Sequence, residues 1–194
     1  MNEVEKLLKY FNLEKIEENY YRAQSLDIGT GRIFGGQVLA QSLAAAYRTV
    51  EDRQAHSFHA YFLREGDVKK PVVFQVDRAR DGRSFSNRRV VAIQHGRPIL
   101  NLAASFQIQE DGYEHQVDMP NVPKPDELDE KPFLTSAQMH SLTPRMRRLL
   151  TTQGPFEFRF ADDIDPFDLG ANEPIRGVLS SNGVYAMWVW AKSQ

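Results

Sequence analysis

One segment restricts the folds open to this chain more than any other. From Arg32 the sequence runs RIFGGQVLAQSLAAAYR, and after a short connector it continues HSFHAYFLR to Arg64. Val38, Leu39, Ala40, Leu43, Ala44, Ala45, Ala46 and Val50 make the first part apolar almost all round when wound as a helix. A helix of that kind is buried, not laid on a surface. A helix from about Phe34 to Val50 is therefore expected at the centre of the fold, and Leu43→Asp is expected to unfold it. Its small residues let a sheet come close. The pair Gly35-Gly36 lets a ligand or backbone approach the first turn, where free N–H groups and the positive end of the dipole suit a developing oxyanion.

The surrounding pattern is that of strands. Asn2 and Glu5 have the spacing of a capping box, followed by a helical stripe of Val4, Leu7, Leu8 and Phe11. Leu13 to Gln24 reads as a first strand and Leu26 to Ile33 as a glycine-containing loop. After the helix come four strands: Ser57–Arg64, Val72–Arg80, Ser84–Gln94 and Pro98–Gln109. Asp81-Gly82 and His95-Gly96 are hairpin punctuation between neighbours. The last strand sets Leu100, Leu102, Ala104, Phe106 and Ile108 on one face and Asn101, Ala103, Ser105 and Gln107 on the other. A strand, a long buried helix and a four-strand meander predict an α+β architecture, an antiparallel sheet wrapped around a long central helix.

Beyond that unit the character changes. Pro120, Pro123, Pro125 and Pro132 fall among acidic residues, a linker composition. A helix is expected from Ser136, disturbed by Pro144 and ending at Arg145, Arg147 and Arg148, then a strand at Phe156–Phe160. Val184 to Ala191, VYAMWVWA, is apolar on both faces, as a doubly buried strand would be. It either pairs with an earlier edge or opens a further unit that this sequence does not contain.

Composition excludes whole classes. The formal net charge of −2 argues against a dedicated nucleic-acid binder. There is no cysteine, hence no disulfide, no thiolate nucleophile and no cysteine metal site. That fits a reducing compartment, so a cytoplasmic location is expected, or a peroxisomal one in a eukaryote. No apolar run approaches the ~18 residues of a membrane span. No GxSxG elbow is present.

IFGGQVLAQSL, HSFHAYFLREGD, RDGRSFSNRRVVAIQHGRPI and ASFQ, in this order and spacing, resemble the N-terminal half of the acyl-CoA thioesterase II family. The likeness is closest from Val4 to Gln116 and continues more loosely into EFRF and WVWAK. It implies a hotdog fold in each of two units packed as a pseudo-dimer. Here that means an N-terminal hotdog over 1–116, a Pro-rich linker over 117–175, and the opening of a second, incomplete unit over 176–194. It also implies acyl-CoA as substrate, no cofactor, and homo-oligomers formed by hotdog packing. The family's catalytic Asp, Ser or Thr, and Gln belong to the second unit, so all three positions would lie beyond Gln194. At the corresponding helix start this chain has glycines and Gln37 in place of a carboxylate.

The candidate substrate-binding residues are Phe34, Gly35, Gly36, Gln37, His56 and Arg88. Gly35, Gly36 and Gln37 serve either a tight helix entry or an oxyanion hole for a thioester carbonyl. Arg78, Arg80, Arg83, Arg88 and Arg89 either meet the phosphates of CoA or are solvated charges paired with local acids. Arg88 and Arg89, adjacent on a strand, face opposite ways. His56 and His59 make a poor metal pair and read as ordinary histidines, as do His95, His115 and His140. Asp81 reads as turn chemistry. Two functions follow. The first is an acyl-CoA thioesterase, present as a C-terminally truncated chain. The alternative is a non-catalytic hotdog module that binds acyl-CoA or mediates dimerisation.

Overall fold

The computed structural model describes residues 3–118, 123–127, 139–140, 142–144 and 147, and the strand backbones of 156–160, 179–180, 183–184 and 187–191. The chain divides into two compact units, Glu5–Tyr113 on the one hand and Met1–Val4 with Glu114–Gln194 on the other.

The order of elements through the sheet-bearing unit is α1 (Glu3–Lys9), β1 (Glu14–Glu17), β2 (Tyr20–Ala23), α2 (Gly35–Tyr47), β3 (Gln54–Phe62), β4 (Val72–Asp81), β5 (Phe85–Gln94) and β6 (Arg97–Gln107). The six strands form one antiparallel sheet in the order β1-β2-β4-β5-β6-β3, with α2 packed on β4, β5 and β6. This is the expected α+β hotdog arrangement, a sheet wrapped around a central helix.

Alternation does most of the work. In β6, Leu100, Leu102, Ala104 and Phe106 are buried while Asn101 and Ala103 are exposed. In β5 the inward set is Ser86, Arg88, Val90, Ala92 and Gln94. His95-Gly96 joins β5 to β6 with both residues at positive φ (49° and 70°), the two-residue turn whose twist matches that of the strands it connects.

Two expectations need correction, and a third segment, left with two alternatives, has an observed pairing. The first strand is not continuous over Leu13–Gln24. It folds back on itself as β1 and β2, and Asn19 turns the corner at φ 64°, a left-handed conformation that asparagine tolerates better than most residues. The central helix is shorter than Phe34–Val50. Its buried stripe is also not the large apolar set: the buried residues are Gln37, Val38, Gln41, Ser42, Ala45 and Ala46, and Leu39, Leu43 and Ala44 are only partly buried. Close approach to the sheet selects small side chains, and the leucines pack to the sides. Finally, Met187–Ala191 (β10) pairs antiparallel with Phe156–Phe160 (β7) in full register, so this apolar strand has a partner within the chain. A two-residue pair, β8 (Leu179–Ser180) with β9 (Gly183–Val184), lies between them in sequence. The helix expected from Ser136 falls largely outside the described residues, as do Arg145 and Arg148. Arg147 is described, exposed, and donates to the carbonyl oxygens of Met139 and His140.

The burial pattern moves the helix test from Leu43 to Ala45. Ala45 has no exposed surface, so Ala45→Asp places an unpaired charge against the sheet and is expected to abolish cooperative melting, given a total stability of only about 5–15 kcal/mol. Leu43→Asp, at a partly buried position, is expected to stay folded with a lowered Tm. Thermal melts of the two variants side by side check the orientation of the helix.

Candidate functional site

The N-terminus of α2 is built by two straps. Ile33 donates its backbone N–H to the Gly66 carbonyl at 2.9 Å, Arg32 bridges to Asp67 along the backbone, and the Arg32 and Glu65 side chains form an ion pair outside. Gly66 is buried under Ile33, and a Cβ there would stand 2.7 Å from the Ile33 side chain. Behind this loop lies Gln94, buried on the inner face of β5. Its amide accepts from Asp67 N at 2.8 Å and donates to the Asp67 and Lys70 carbonyls at 3.0 and 2.8 Å. Gln94 thus fixes the 67–71 loop, and the loop fixes the entry to the helix.

Phe34 caps α2 with extended backbone and no side-chain bond, and the first turn carries no acidic residue. The Phe34 carbonyl accepts from Gln37 N at 3.0 Å. Among the described residues the N–H groups of Gly35 and Gly36 have no acceptor, which is the normal state of a first turn and leaves two donors facing outward. Both glycines are explained by rings. A Cβ on Gly35 would sit 3.1 Å from the Phe62 ring and one on Gly36 would sit 2.6 Å from the Phe34 ring. Phe34 and Phe62 are themselves exposed (57% and 58%), so two apolar rings flank the free N–H groups. Beside them runs an open groove of about 370 Å³ lined mainly by the apolar Ile33, Val38, Phe62, Leu63 and Ile99, with Gly35, Gly66, Arg64 and Glu65 completing its walls. An apolar channel next to unpaired backbone donors can hold an acyl chain and polarise its carbonyl.

Of the six residues expected to bind substrate, Phe34, Gly35, Gly36 and Gln37 lie together at this helix start. The Gln37 amide is turned away into the protein: its Oε1 accepts from Leu26 N at 3.2 Å and its Nε2 is buried without a partner. Gln41, one turn on, donates to the Tyr10 and Gln24 carbonyls at 2.8 and 2.9 Å, so the two glutamines tie the preceding chain to the helix. His56 lies six residues from Phe62 along β3, about 20 Å away in an extended strand, so it does not reach the helix start. Its Nε2 is 2.8 Å from Ser105 Oγ and its ring meets Phe85 edge-on. His59 stacks edge-on against Tyr61. Among the described residues no group of three or more His, Asp or Glu side chains is placed to hold a metal.

Arg88 is the clearest departure from expectation. It is 1% exposed, on the core side of β5 at the opposite end of the helix. Nε and Nη2 donate to the Thr49 side chain and carbonyl at 2.7 and 2.9 Å. Nη1 donates to the Arg80 and Asn87 carbonyls, and Nη2 also meets Asp81 Oδ1 at 2.6 Å. Every N–H of the guanidinium is used inside the protein, so Arg88 has none to offer a substrate. It fastens the C-terminal end of α2 to the β4–β5 hairpin. Asp81 is likewise more than turn chemistry. The hydrogen bonds from Arg88 and from the Ser86 hydroxyl hold its carboxyl below the ordinary 3.8. A sequence signal existed for Arg88 and for Gln94: they share the inward register of Val90 and Ala92, where a polar side chain must find partners.

Removing the guanidinium leaves several buried acceptors unmet. Arg88→Met is therefore expected to cost roughly 3 kcal/mol in denaturant melts. Asp81→Asn is expected to cost less, about 1 kcal/mol, because its side chain is half exposed and solvent screens the pair. The folded-state pKa of Asp81 lies below 3.8, so its contribution is complete above that pH and is lost as pH falls through the folded value. Asp81→Asn should flatten the acid limb of a stability–pH profile below about pH 3.8 and leave the neutral-to-alkaline shape unchanged.

Comparison with known proteins finds acyl-CoA thioesterases by sequence and by fold. A family model described as "Acyl-CoA thioesterase N-terminal domain" matches residues 24–107. The chain is 40% identical over 163 residues to "Acyl-CoA thioesterase 2" of Haemophilus influenzae, covering 84% of this chain and 57% of that protein. It is 49% identical over 119 residues to "Acyl-coenzyme A thioesterase 8" of Homo sapiens, covering 60% of this chain and 37% of that one. Among solved structures, an acyl-CoA thioesterase II from Mycobacterium marinum superposes with a TM-score of 0.67 at 36% identity, over 96% of this chain and 60% of that one. The chain therefore spans little more than half the length of the bacterial relative, and about a third of the human one.

Proposed function

We propose that this chain, which belongs to the acyl-CoA thioesterase II family, supplies the substrate-holding hotdog unit of an enzyme that hydrolyses fatty acyl-CoA to fatty acid and CoA. The observation that carries the reading is the start of α2. Two backbone N–H groups without acceptors stand beside an apolar groove of about 370 Å³. In hydrolysis a water oxygen adds to the thioester carbonyl, the negative charge gathers on the carbonyl oxygen, and the C–S bond then breaks as the thiolate takes a proton. The Gly35 and Gly36 donors suit that oxygen, and the groove between Ile33, Val38 and Phe62 suits the alkyl chain.

Hydrolysis also needs a base that takes the proton from water. No carboxylate stands in the first turn of α2, and this observation favours the second reading, a hotdog unit that binds acyl-CoA without turning it over. The two readings join in one scheme, where 1–116 holds substrate, 117–175 links, and 176–194 opens a second unit that brings the chemistry. Homo-oligomers through hotdog packing and a cytoplasmic or peroxisomal site of action belong to the same proposal. Among the described residues no helix is long and apolar enough to cross a membrane.

A thiol-release assay on the 194-residue chain beside a C-terminally extended version decides between them. The expected outcome is acyl-CoA binding by both and robust thiol release by the extended version alone. Rapid turnover by the 194-residue chain, abolished by a change at Gln37, would place the chemistry at the first helix instead.

A further inference from the structure

The turn between β4 and β5 concentrates positive charge on a chain whose net charge is −2. Residues 77–89 carry Arg78, Arg80, Arg83, Arg88 and Arg89 against Asp77 and Asp81. Several of these charges are spoken for. Arg88 is the buried anchor described above, and it shares the Asp81 carboxylate with Ser86. Arg78 donates to Asn19 Oδ1 at 2.8 Å and pairs with Glu18 at 3.7 Å. Glu110 accepts from Ser84 at 2.9 Å and Gln107 at 3.1 Å, and the charge of Arg83 also favours its ionised form without a direct ion pair.

Arg80, Arg83 and a sixth arginine, Arg53, are left at the turn itself. Arg53 comes in from the segment before β3, and its Nη2 donates to the Gly82 carbonyl at 2.9 Å and the Arg83 carbonyl at 3.2 Å. Arg80 lies against the same glycine: a Cβ on Gly82 would be 3.5 Å from Arg80 Nε and 3.8 Å from Nη2. Two guanidiniums thus lie against one residue, and an exposed third arginine, Arg83, follows it in the chain. Among the described residues none of the three takes part in an ion pair. Arg53 Nη1 is buried and has no acceptor. A buried charged donor without a protein acceptor is completed by water or by an anion, and where like charges already crowd the electrostatics favour the anion. Planar forks offered by several arginines match the geometry and charge of a phosphate better than those of a lone carboxylate. Arg80 and Arg83 are exposed, so rotation about their side-chain bonds is the route by which an anion reaches Arg53 Nη1.

We propose that Arg53, Arg80 and Arg83, gathered around Gly82 at the β4–β5 turn, form a binding site for a phosphate or diphosphate group. The site stands independently of the thioesterase reading; only its assignment to the phosphates of CoA rests on that reading.

Amide-resolved NMR titration of the 194-residue chain tests this with sodium pyrophosphate, inorganic phosphate, CoA and dephospho-CoA in parallel. The expected result is salt-sensitive shifts at Gly82 and Arg83 with pyrophosphate, and an affinity at least about tenfold lower in Arg80→Gln/Arg83→Gln. Arg89→Gln, on the other face from Arg88, is expected to bind as wild type does. Because both substituted arginines are exposed, the fold is retained and the double variant stays informative. Tighter binding of CoA than of dephospho-CoA at these same amides assigns the site to the coenzyme. Equal or stronger binding of the inorganic anions assigns it to a free phosphate anion, and either result supports the site. No response at residues 80–83 to any of the four, or equal pyrophosphate affinity in wild type and the double variant, overturns it. CoA shifts confined to the α2 N-terminus with no pyrophosphate response also overturn it, while leaving the thioesterase reading intact.

Discussion

The close seating of α2 on the inner face of β5 governs everything else in the hotdog unit. Ala45, Ala46 and Ser42 have no exposed surface, and Val90 and Ala92 meet them from the strand side of the core. A helix of 13 residues is about 20 Å long. Arg88 and Gln94, six residues apart on one strand, are separated by about the same 20 Å. One strand therefore spans the whole helix, apolar in the middle and polar at both ends. Arg88 holds the C-terminal end through Thr49, and Gln94 holds the N-terminal end through the 67–71 loop and Ile33. The apolar middle lets the helix slide or roll at low cost, because dispersion contacts are non-directional. The polar ends are directional, and they fix one position.

That division explains which parts of the structure were legible in the sequence. Period-two alternation gave β4, β5 and β6 almost to their ends, and the run of small apolar residues gave α2. The His95-Gly96 turn was legible because a two-residue hairpin needs positive φ twice, which few residue pairs supply. Partnerships were less so. Arg88 looked like one of five surface arginines because its chemistry is that of a surface residue. Only its register with Val90 and Ala92 marks it as inward, and its acceptors on Thr49 and Asp81 are set by tertiary contact. The break of the first strand at Asn19 was hidden for a related reason: one asparagine among strand formers carries little weight until a φ of 64° shows its use.

The candidate site was half legible. The Gly35-Gly36 pair identified the helix start, and the chain does present free N–H donors there. The reason for the glycines was not in the local sequence, since the ring against Gly35 comes from Phe62, at the far end of the next strand. Strand geometry alone separates His56 from the helix start, since it lies at the other end of β3 beside Ser105 and Phe85.

The position of Phe62 ties the site to the edge of the sheet. β3 is the terminal strand, paired with β6 on one side only, and its exposed residues include Phe58, Tyr61, Phe62 and Leu63. An edge with open backbone groups and large apolar side chains is costly to leave in water. The groove at the α2 N-terminus takes two of its walls, Phe62 and Leu63, from that edge. A unit built this way holds its helix at both ends through β5, whereas two walls of the groove stand on a strand paired from one side only. The helix start is therefore fixed by directional hydrogen bonds on its loop side and by apolar side chains alone on its β3 side, and the groove is the less constrained half of the same site.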